Sequence, residues 1–285
     1  MDRELLIFTR LHGRLGNQMF QYAAAVGLAD RLGAPVALDL RVALHKNEGA
    51  LTRVFDLPVE ISDHLPPVRH DALLAYMVWR LSGRSPKFQR ERGLSYNNAF
   101  EHWADDTYLH GYWQSERYFS HAANRVRKDF TFPPKMSAAN AEMAARITAA
   151  TSISLHVRRG DYLTGGAHGV CDQAYYDTAL ARIAAALPSP PTVFVFSDDP
   201  DWARQNLPME FEKVVVDFNG AGADFEDMRL MSLCEHNITA NSSFSWWGAW
   251  LNANPSKLVA APSQWFADSK LKNSDILPAS WLPIE

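Results

Sequence analysis

Ile153-Ser-Leu-His-Val-Arg-Arg-Gly-Asp-Tyr-Leu163 is the stretch on which the architecture turns. Its first five residues, ISLHV, form a short apolar run that reads as a buried strand. Two arginines, a glycine and an aspartate then stand where the strand must end. On an extended segment neighbouring side chains point to opposite faces, so Arg158 and Arg159 diverge. One can face a ligand, where its planar fork matches two oxygens of a phosphate. The other can pair with Asp161 and hold the turn. Taken alone, both could equally be exposed loop charges.

Working outward, the alternation of strand and helix from residue 151 is regular. Strands are predicted at 153–157, 192–197, 214–216, 237–240 and 258–260. Helices are predicted between them, at 173–187, 202–207, 225–235 and 244–252. That spacing predicts a doubly wound parallel sheet. The amino-terminal part begins the same way. A strand at 5–8, the glycine turn Gly13-Arg-Leu-Gly16, a helix at 17–32 stopped by Gly33, and a strand at 35–38 form one β-loop-α-β unit. Residues 41–66 read as a turn-rich polar insertion. Further elements are predicted at 72–81 (helix), 107–113 (strand), 115–128 (helix) and 137–150 (an alanine-rich helix). The apolar cluster LLAYMVW in the first of these suits either the core or a membrane surface. The expectation is an α/β protein of two Rossmann-like lobes, about 1–150 and 151–285, facing a cleft.

Composition narrows the function. The chain has 285 residues and a net charge of −4. It has no basic field for nucleic acid, so a local arginine cluster stands out. Two cysteines, Cys171 and Cys234, read as reduced thiols, not a disulfide framework or metal site. The apolar core of the amino terminus, LLIF, is too short for a signal peptide, and no run reaches spanning length. A cytoplasmic protein is expected, with membrane contact limited to peripheral attachment at the inner face.

In an open parallel sheet, ligands bind outside the carboxyl ends of the strands. Four predicted strand ends carry polar or glycine residues: 12–18, 158–162, 198–199 and 241–245. Ser242, Ser243 and Ser245 stand where a strand turns into a helix, a position suited either to plain capping or to binding an anion. Trp246, Trp247 and Trp250 read better as core than as sugar-stacking platforms. Asn17 and Gln18 open a helix, where amides can bind hydroxyls or simply cap. Asp198 and Asp199 have the look of a metal pair but suit a turn as well, and no metal is expected. His12, His156 and His168 read as structural. Gly165, Gly166 and Gly169 suggest a mobile covering loop over 163–171. Two phosphate-friendly elements in one lobe and a hydroxyl-friendly second lobe together describe a nucleotide-sugar transferase.

Four segments then carry a family likeness: GRLGNQMFQYA (13–23), HVRRGDY (156–162), FVFSDD (194–199) and MSLCEHNITANSSFSWWGAWLN (231–252). With them the chain resembles the bacterial α-1,2-fucosyltransferases, and it shares the arginine and Ser-Ser-Phe elements with protein O-fucosyltransferases. The resemblance implies a GT-B architecture. It implies inverting, metal-independent transfer of L-fucose from GDP-β-L-fucose to the 2-hydroxyl of a β-galactoside. That acceptor can be part of a lipid-linked surface glycan such as an O-antigen. By the same resemblance Arg158 or Arg159 binds the β-phosphate, Arg158 being ranked first. Ser242, Ser243 and Phe244 contact phosphates and nucleoside, with His156 and Asp198 as further nucleoside contacts, and Asn17 lies near the acceptor hydroxyl. No group is identified as the base, although Asp161 is a candidate. Residues 41–130 match no motif and are expected to govern acceptor choice. Three other readings stay open: a GDP-sugar enzyme of the same shape with a different sugar or linkage, an inactive carbohydrate-binding protein of the same fold, and a metal-dependent phosphate-ester hydrolase using Asp198 and Asp199.

Overall fold

The structure, a computed structural model, describes residues 6–46, 50–60, 65–67, 69, 72–82, 87–160, 171–220, 222–268, 271 and 274–285. It divides into two compact units. The first is Met1–Phe132 with the short segment Asn273–Ile276, and the second is Pro133–Lys272 with Leu277–Glu285.

In the first unit the elements run β1 (Ile7–Arg10), α1 (Leu15–Leu32), β2 (Val36–Asp39), α2 (Arg41–His45), α3 (Leu51–Val54), β3 (Val59–Glu60), α4 (Leu73–Leu81), β4 (Lys87–Arg90), β5 (Thr107–His110) and α5 (Ala123–Asp129). The five strands form one sheet in the order β3-β2-β1-β5-β4, with every pairing parallel. α1 is apolar almost all round, and Leu15–Ala29 is buried nearly throughout, as such a helix must be. It ends at Gly33, whose φ of 64° is the left-handed cap conformation that favours glycine. Gly27 is required by packing: a Cβ there would lie 2.0 Å from the Tyr118 carbonyl oxygen.

The sequence reading differs from this unit in several places, the unpredicted strand β4 among them. The stretch 41–66, expected to be turns, holds α2, α3 and the edge strand β3. The helix expected at 115–128 is two 3₁₀ turns, Glu116–Tyr118 and Ser120–Ala122, before α5 begins. The strand expected at 107–113 stops at His110, because Trp113 turns the chain with φ 56°.

The second unit contains α6 (Ala138–Thr148), β6 (Ser152–Val157), α7 (Gln173–Ala184), β7 (Thr192–Ser197), α8 (Pro200–Asn206), β8 (Glu212–Val216), α9 (Phe225–Leu233), β9 (His236–Ile238), α10 (Ser243–Leu251), β10 (Val259–Pro262) and β11 (Leu282–Ile284). The sheet order is β11-β10-β9-β6-β7-β8, again all parallel. Read from β8, this is the third, second, first, fourth, fifth and sixth strand of the unit, the doubly wound dinucleotide-fold order. The order in which successive strands are added across the sheet therefore reverses between β6 and β9.

β6 is buried at all six positions, as a central strand covered on both faces must be. Ile153, Leu155 and Val157 pack with Tyr176, Ala179 and Ile183 of α7. Ser152, Ser154 and His156 point to the other face. There Ser154 Oγ accepts from Asn237 Nδ2 at 2.7 Å, and Ser152 Oγ accepts from the Glu235 N–H at 3.1 Å. Trp246, Trp247 and Trp250 are all buried core residues of α10. Both cysteines are free thiols. Asn237 and Asn241 are buried as well.

Candidate active site

The order of the second sheet singles out two of the four strand ends named from sequence. Ligands of doubly wound sheets bind where the strand order reverses, and here that point lies between the carboxyl ends of β6 and β9. Arg158, Arg159 and Gly160 follow β6. Thr239, Ala240, Asn241 and Ser242 follow β9 and lead into α10.

Alternation along β6 separates the two arginines. Arg159 continues the face of Val157, where α7 and α8 pack. Its guanidinium carbon lies 3.7 Å from the centroid of the Trp202 ring in α8, a cation–π contact, and its Nε lies 3.7 Å from Asp199. Arg158 continues the face of His156, the side of α10, whose Phe244 ring lies 5.9 Å from the imidazole. Arg158 Nη1 lies 3.2 Å from Asp198 Oδ2.

The acidic pair after β7 is thus engaged by the arginines. Asp198 accepts from the Arg159 backbone N–H at 2.9 Å and pairs with the Arg158 side chain. Asp199 caps α8 by accepting from the Trp202 N–H at 3.1 Å. A Cβ on Gly160 would meet Asp198 Oδ2 at 2.6 Å, so glycine there leaves the carboxylate its place. Among the described residues no three His, Cys, Asp or Glu side chains gather as a metal site.

Among the described residues at the switch point, His156 Nδ1 and Thr239 Oγ1 are buried and lack a protein hydrogen bond, as does Arg159 Nε on the opposite face. Thr239 stands two residues beyond Asn237 and so shares the α10 face with His156 and Arg158. Its carbonyl accepts from the Tyr175 hydroxyl at 2.5 Å. Burial, reinforced by the Arg158 charge, pushes the His156 pKa down to about 3, which keeps the ring neutral. Ser242 is the N-cap of α10, its hydroxyl accepting from the Phe244 N–H at 3.3 Å. Ser243 and Phe244 form the first turn and are half-buried. The positive end of the nine-residue helix therefore lies on the face that Arg158 occupies. Asp161, and the glycines and His168 of the expected covering loop, lie outside the described residues.

The first unit has its own reversal, between β1 and β5. Asn17, in the first turn of α1, accepts from Gln114 Nε2 at 2.9 Å. Gly13 makes room for it: φ there is 75°, and a Cβ would lie 2.8 Å from Asn17 Nδ2. Gln18 and Gln21 have a different task. Gln18 is fully buried, donating to the Gly13 carbonyl at 2.6 Å and accepting from the Leu51 N–H at 3.0 Å. Gln21 accepts from the His12 N–H and donates to its carbonyl. Both amides clamp the 12–18 loop, and the N-cap of α1 is Arg14, with no side-chain capping bond.

Gln114 is presented by a strained turn. Trp113 is fully buried in the left-handed region, and strain of that kind in a bulky residue persists only where the surroundings impose it. Glu91 imposes it here. Its carboxylate accepts from the N–H groups of Tyr112 (2.6 Å) and Trp113 (3.0 Å). Gly111 is obligatory beside it, since a Cβ would fall 2.3 Å from the Glu91 Cβ.

Sequence reading missed Glu91, Gln114, Trp202 and Thr239. Gln114 was legible as an amide beyond a strand end only if the strand was stopped at His110. The other three act through contacts far along the chain.

The geometry defines an α/β protein with a nucleotide-fold unit whose switch point carries cationic and helix-end groups. The whole chain, residues 1–285, matches glycosyl transferase family 11, and it belongs to that family; it is a glycosyltransferase. It is 30% identical over 290 residues to an α-1,2-colitosyltransferase of Escherichia coli, covering 98% of this chain and 99% of that protein. It is 26% identical to galactoside α-(1,2)-fucosyltransferase 2 of Oryctolagus cuniculus, over 91% of this chain and 71% of that protein. Among solved structures, NodZ α-1,6-fucosyltransferase soaked with GDP-fucose shares the fold. The TM-score is 0.54 at 15% identity, over 87% of this chain and 93% of that one. The architecture is thus the GT-B-like one of fucosyltransferases. Among the described residues, no helix is long and apolar enough to cross a membrane.

Proposed function

We propose that the protein transfers L-fucose from GDP-β-L-fucose to the 2-hydroxyl of a β-galactoside, with inversion at the anomeric carbon and without a metal ion. One observation carries this reading. Arg158, the amino terminus of α10 and the unpartnered buried atoms of His156 and Thr239 share one face of the β6–β9 switch point. Breaking the sugar–phosphate bond leaves negative charge on the departing diphosphate. A guanidinium fork and a helix dipole aimed at that charge stabilise it more as it develops, which is where rate is gained. The neutral His156 ring and the Thr239 hydroxyl offer directional hydrogen bonds to the nucleotide without competing charge.

In this reading Arg158 holds the β-phosphate, and Arg159, anchored on Trp202, fixes the turn. Ser242, Ser243 and Phe244 contact phosphates and nucleoside. Asp198 aligns Arg158. The first unit receives the acceptor, with Asn17 oriented by Gln114 toward its hydroxyl. A carboxylate at 161 is the candidate to take the proton of the attacking hydroxyl. The likeness to a colitosyltransferase favours a second reading, in which a different sugar is carried to the same α-1,2 linkage.

The test is incubation with GDP-fucose and a small set of β-galactosides, with the product linkage read by NMR. An α-1,2-fucosyl product supports the proposal. Turnover of GDP-colitose with none of GDP-fucose transfers the mechanism to the second donor. Excess EDTA leaves the rate unchanged; loss on chelation with recovery on Mg²⁺ or Mn²⁺ overturns the metal-free mechanism.

A further inference from the structure

Helix α4 is oriented against the usual rule for a surface helix. Tyr76 and Trp79 turn inward and pack with Phe8, Ala37 and Tyr108 of the first sheet. Leu73, Leu74, Met77, Val78 and Leu81 turn outward, with Leu74 83% and Leu81 79% exposed. Their spacing of i, i+1, i+4, i+5 and i+8 spreads them over about 140° of the helix, opposite the buried pair. Scattered exposed apolar residues need no explanation, but five on one face of a nine-residue helix do.

Among the described residues near this stripe in sequence, the exposed charge has one sign. Among the described residues from 69 to 92, the exposed ionisable groups are Arg69, Arg80, Lys87, Arg90 and Arg92. Glu91, the one acid among the described residues of that range, is half-buried and turned to the backbone of Tyr112 and Trp113. Arg80 borders the stripe, its guanidinium 5.5 Å from the centroid of Phe88, a ring that packs against Trp79. Arg90 shares the β4 face of Phe88, and so lies on the α4 side. The cations gather here although the chain as a whole is at −4.

We propose that α4 is a docking element for an anionic phospholipid surface. The apolar stripe would enter the boundary between headgroups and acyl chains, with the flanking arginines at the phosphates. A second copy of the chain fits less well. One nine-residue face falls short of the roughly 800 Å² per partner of a stable interface, and a two-fold contact would set cations against cations. The inference goes beyond the glycosyl transfer reading and is tested without it.

The full chain is mixed with vesicles of phosphatidylcholine alone, and of phosphatidylcholine with phosphatidylglycerol, and the bound fraction is measured by sedimentation. Binding to the anionic vesicles, weakened by salt and much lower on phosphatidylcholine alone, is expected. The exposed pair Leu74→Ser with Leu81→Ser lowers the partition constant roughly tenfold or more while leaving thermal unfolding unchanged. Arg80→Gln, which leaves the leucines in place, weakens anionic binding alone. Vesicle binding that is absent, or equal in wild type and the leucine variant, overturns the proposal and leaves the face to a protein partner. A lipid-free dimer that the leucine variant abolishes overturns it in favour of a second copy.

Discussion

Arg158 and Arg159 are neighbours in sequence and opposites in task. Alternation about β6 gives one to Trp202 and the other to the α10 face. Replacing Arg158 by Ala is expected to lower turnover roughly 10²- to 10³-fold, the scale of one lost contact to a developing anion. Lys at 158 restores little, because a point charge cannot form the two-oxygen fork. Near-normal transfer by the alanine variant in a steady-state assay sinks the assignment. Gly13 is a second residue-scale test. Alanine there meets Asn17 Nδ2 at 2.8 Å and holds a φ of 75° that suits glycine. The expected outcome is a loss of about 1 kcal/mol of stability, read by urea unfolding, and a larger fall in transfer, because Asn17 is displaced.

At the scale of elements, the turn after β5 shows how a site is braced from outside its own sequence. Glu91 follows β4, yet it fixes the chain two residues beyond the end of β5. Glu91→Ala leaves two backbone donors without their acceptor and releases the constraint on Trp113. About 1–2 kcal/mol of stability should be lost, the range for abandoned donors that are partly wet. Activity should fall too, since Gln114 no longer steadies Asn17; a variant with wild-type stability and wild-type acceptor KM refutes the brace. The elements were unevenly legible in the sequence. β6 and β7 read cleanly because a central parallel strand is one continuous apolar run. The edge strands β3, β4 and β11 went unread. Lys87-Phe-Gln-Arg90 carries one apolar side chain, and its strand character comes from the β5 backbone that it pairs with.

On the scale of the molecule, buried histidines set part of the acid response. His156 and His110 lie in different units, and each is lowered to about 3, chiefly by burial. In the native state both stay neutral, while in the unfolded chain they take up protons below about 6.5. The unfolded state then binds more protons, so stability falls as pH drops from 6.5 toward 3, by about 1.4 kcal/mol per pH unit for each histidine. Asp227 works against them. Burial raises it from 3.8 to about 7, so its share of stability falls as pH rises through that window. His156→Gln should therefore flatten the acid limb by one group's slope in denaturation measured at successive pH values. An unchanged limb denies the buried neutral imidazole.

The amino-acid sequence by itself determined what is local. It settled the strand-helix alternation, the apolar run of β6 that Arg-Arg-Gly brings to an end, and the serine-rich turn into α10. Side-chain period, capping and hydrophobic burial act over a few residues, so they can be read from neighbours. Only the tertiary structure decided that β9 lies against β6, which makes the ends of those two strands the switch point. Only it decided that Asp198 and Asp199 serve the arginines, and that Thr239 shares a face with His156. Strand order is fixed by crossovers and by packing between segments dozens of residues apart, and no short stretch of the chain contains that information.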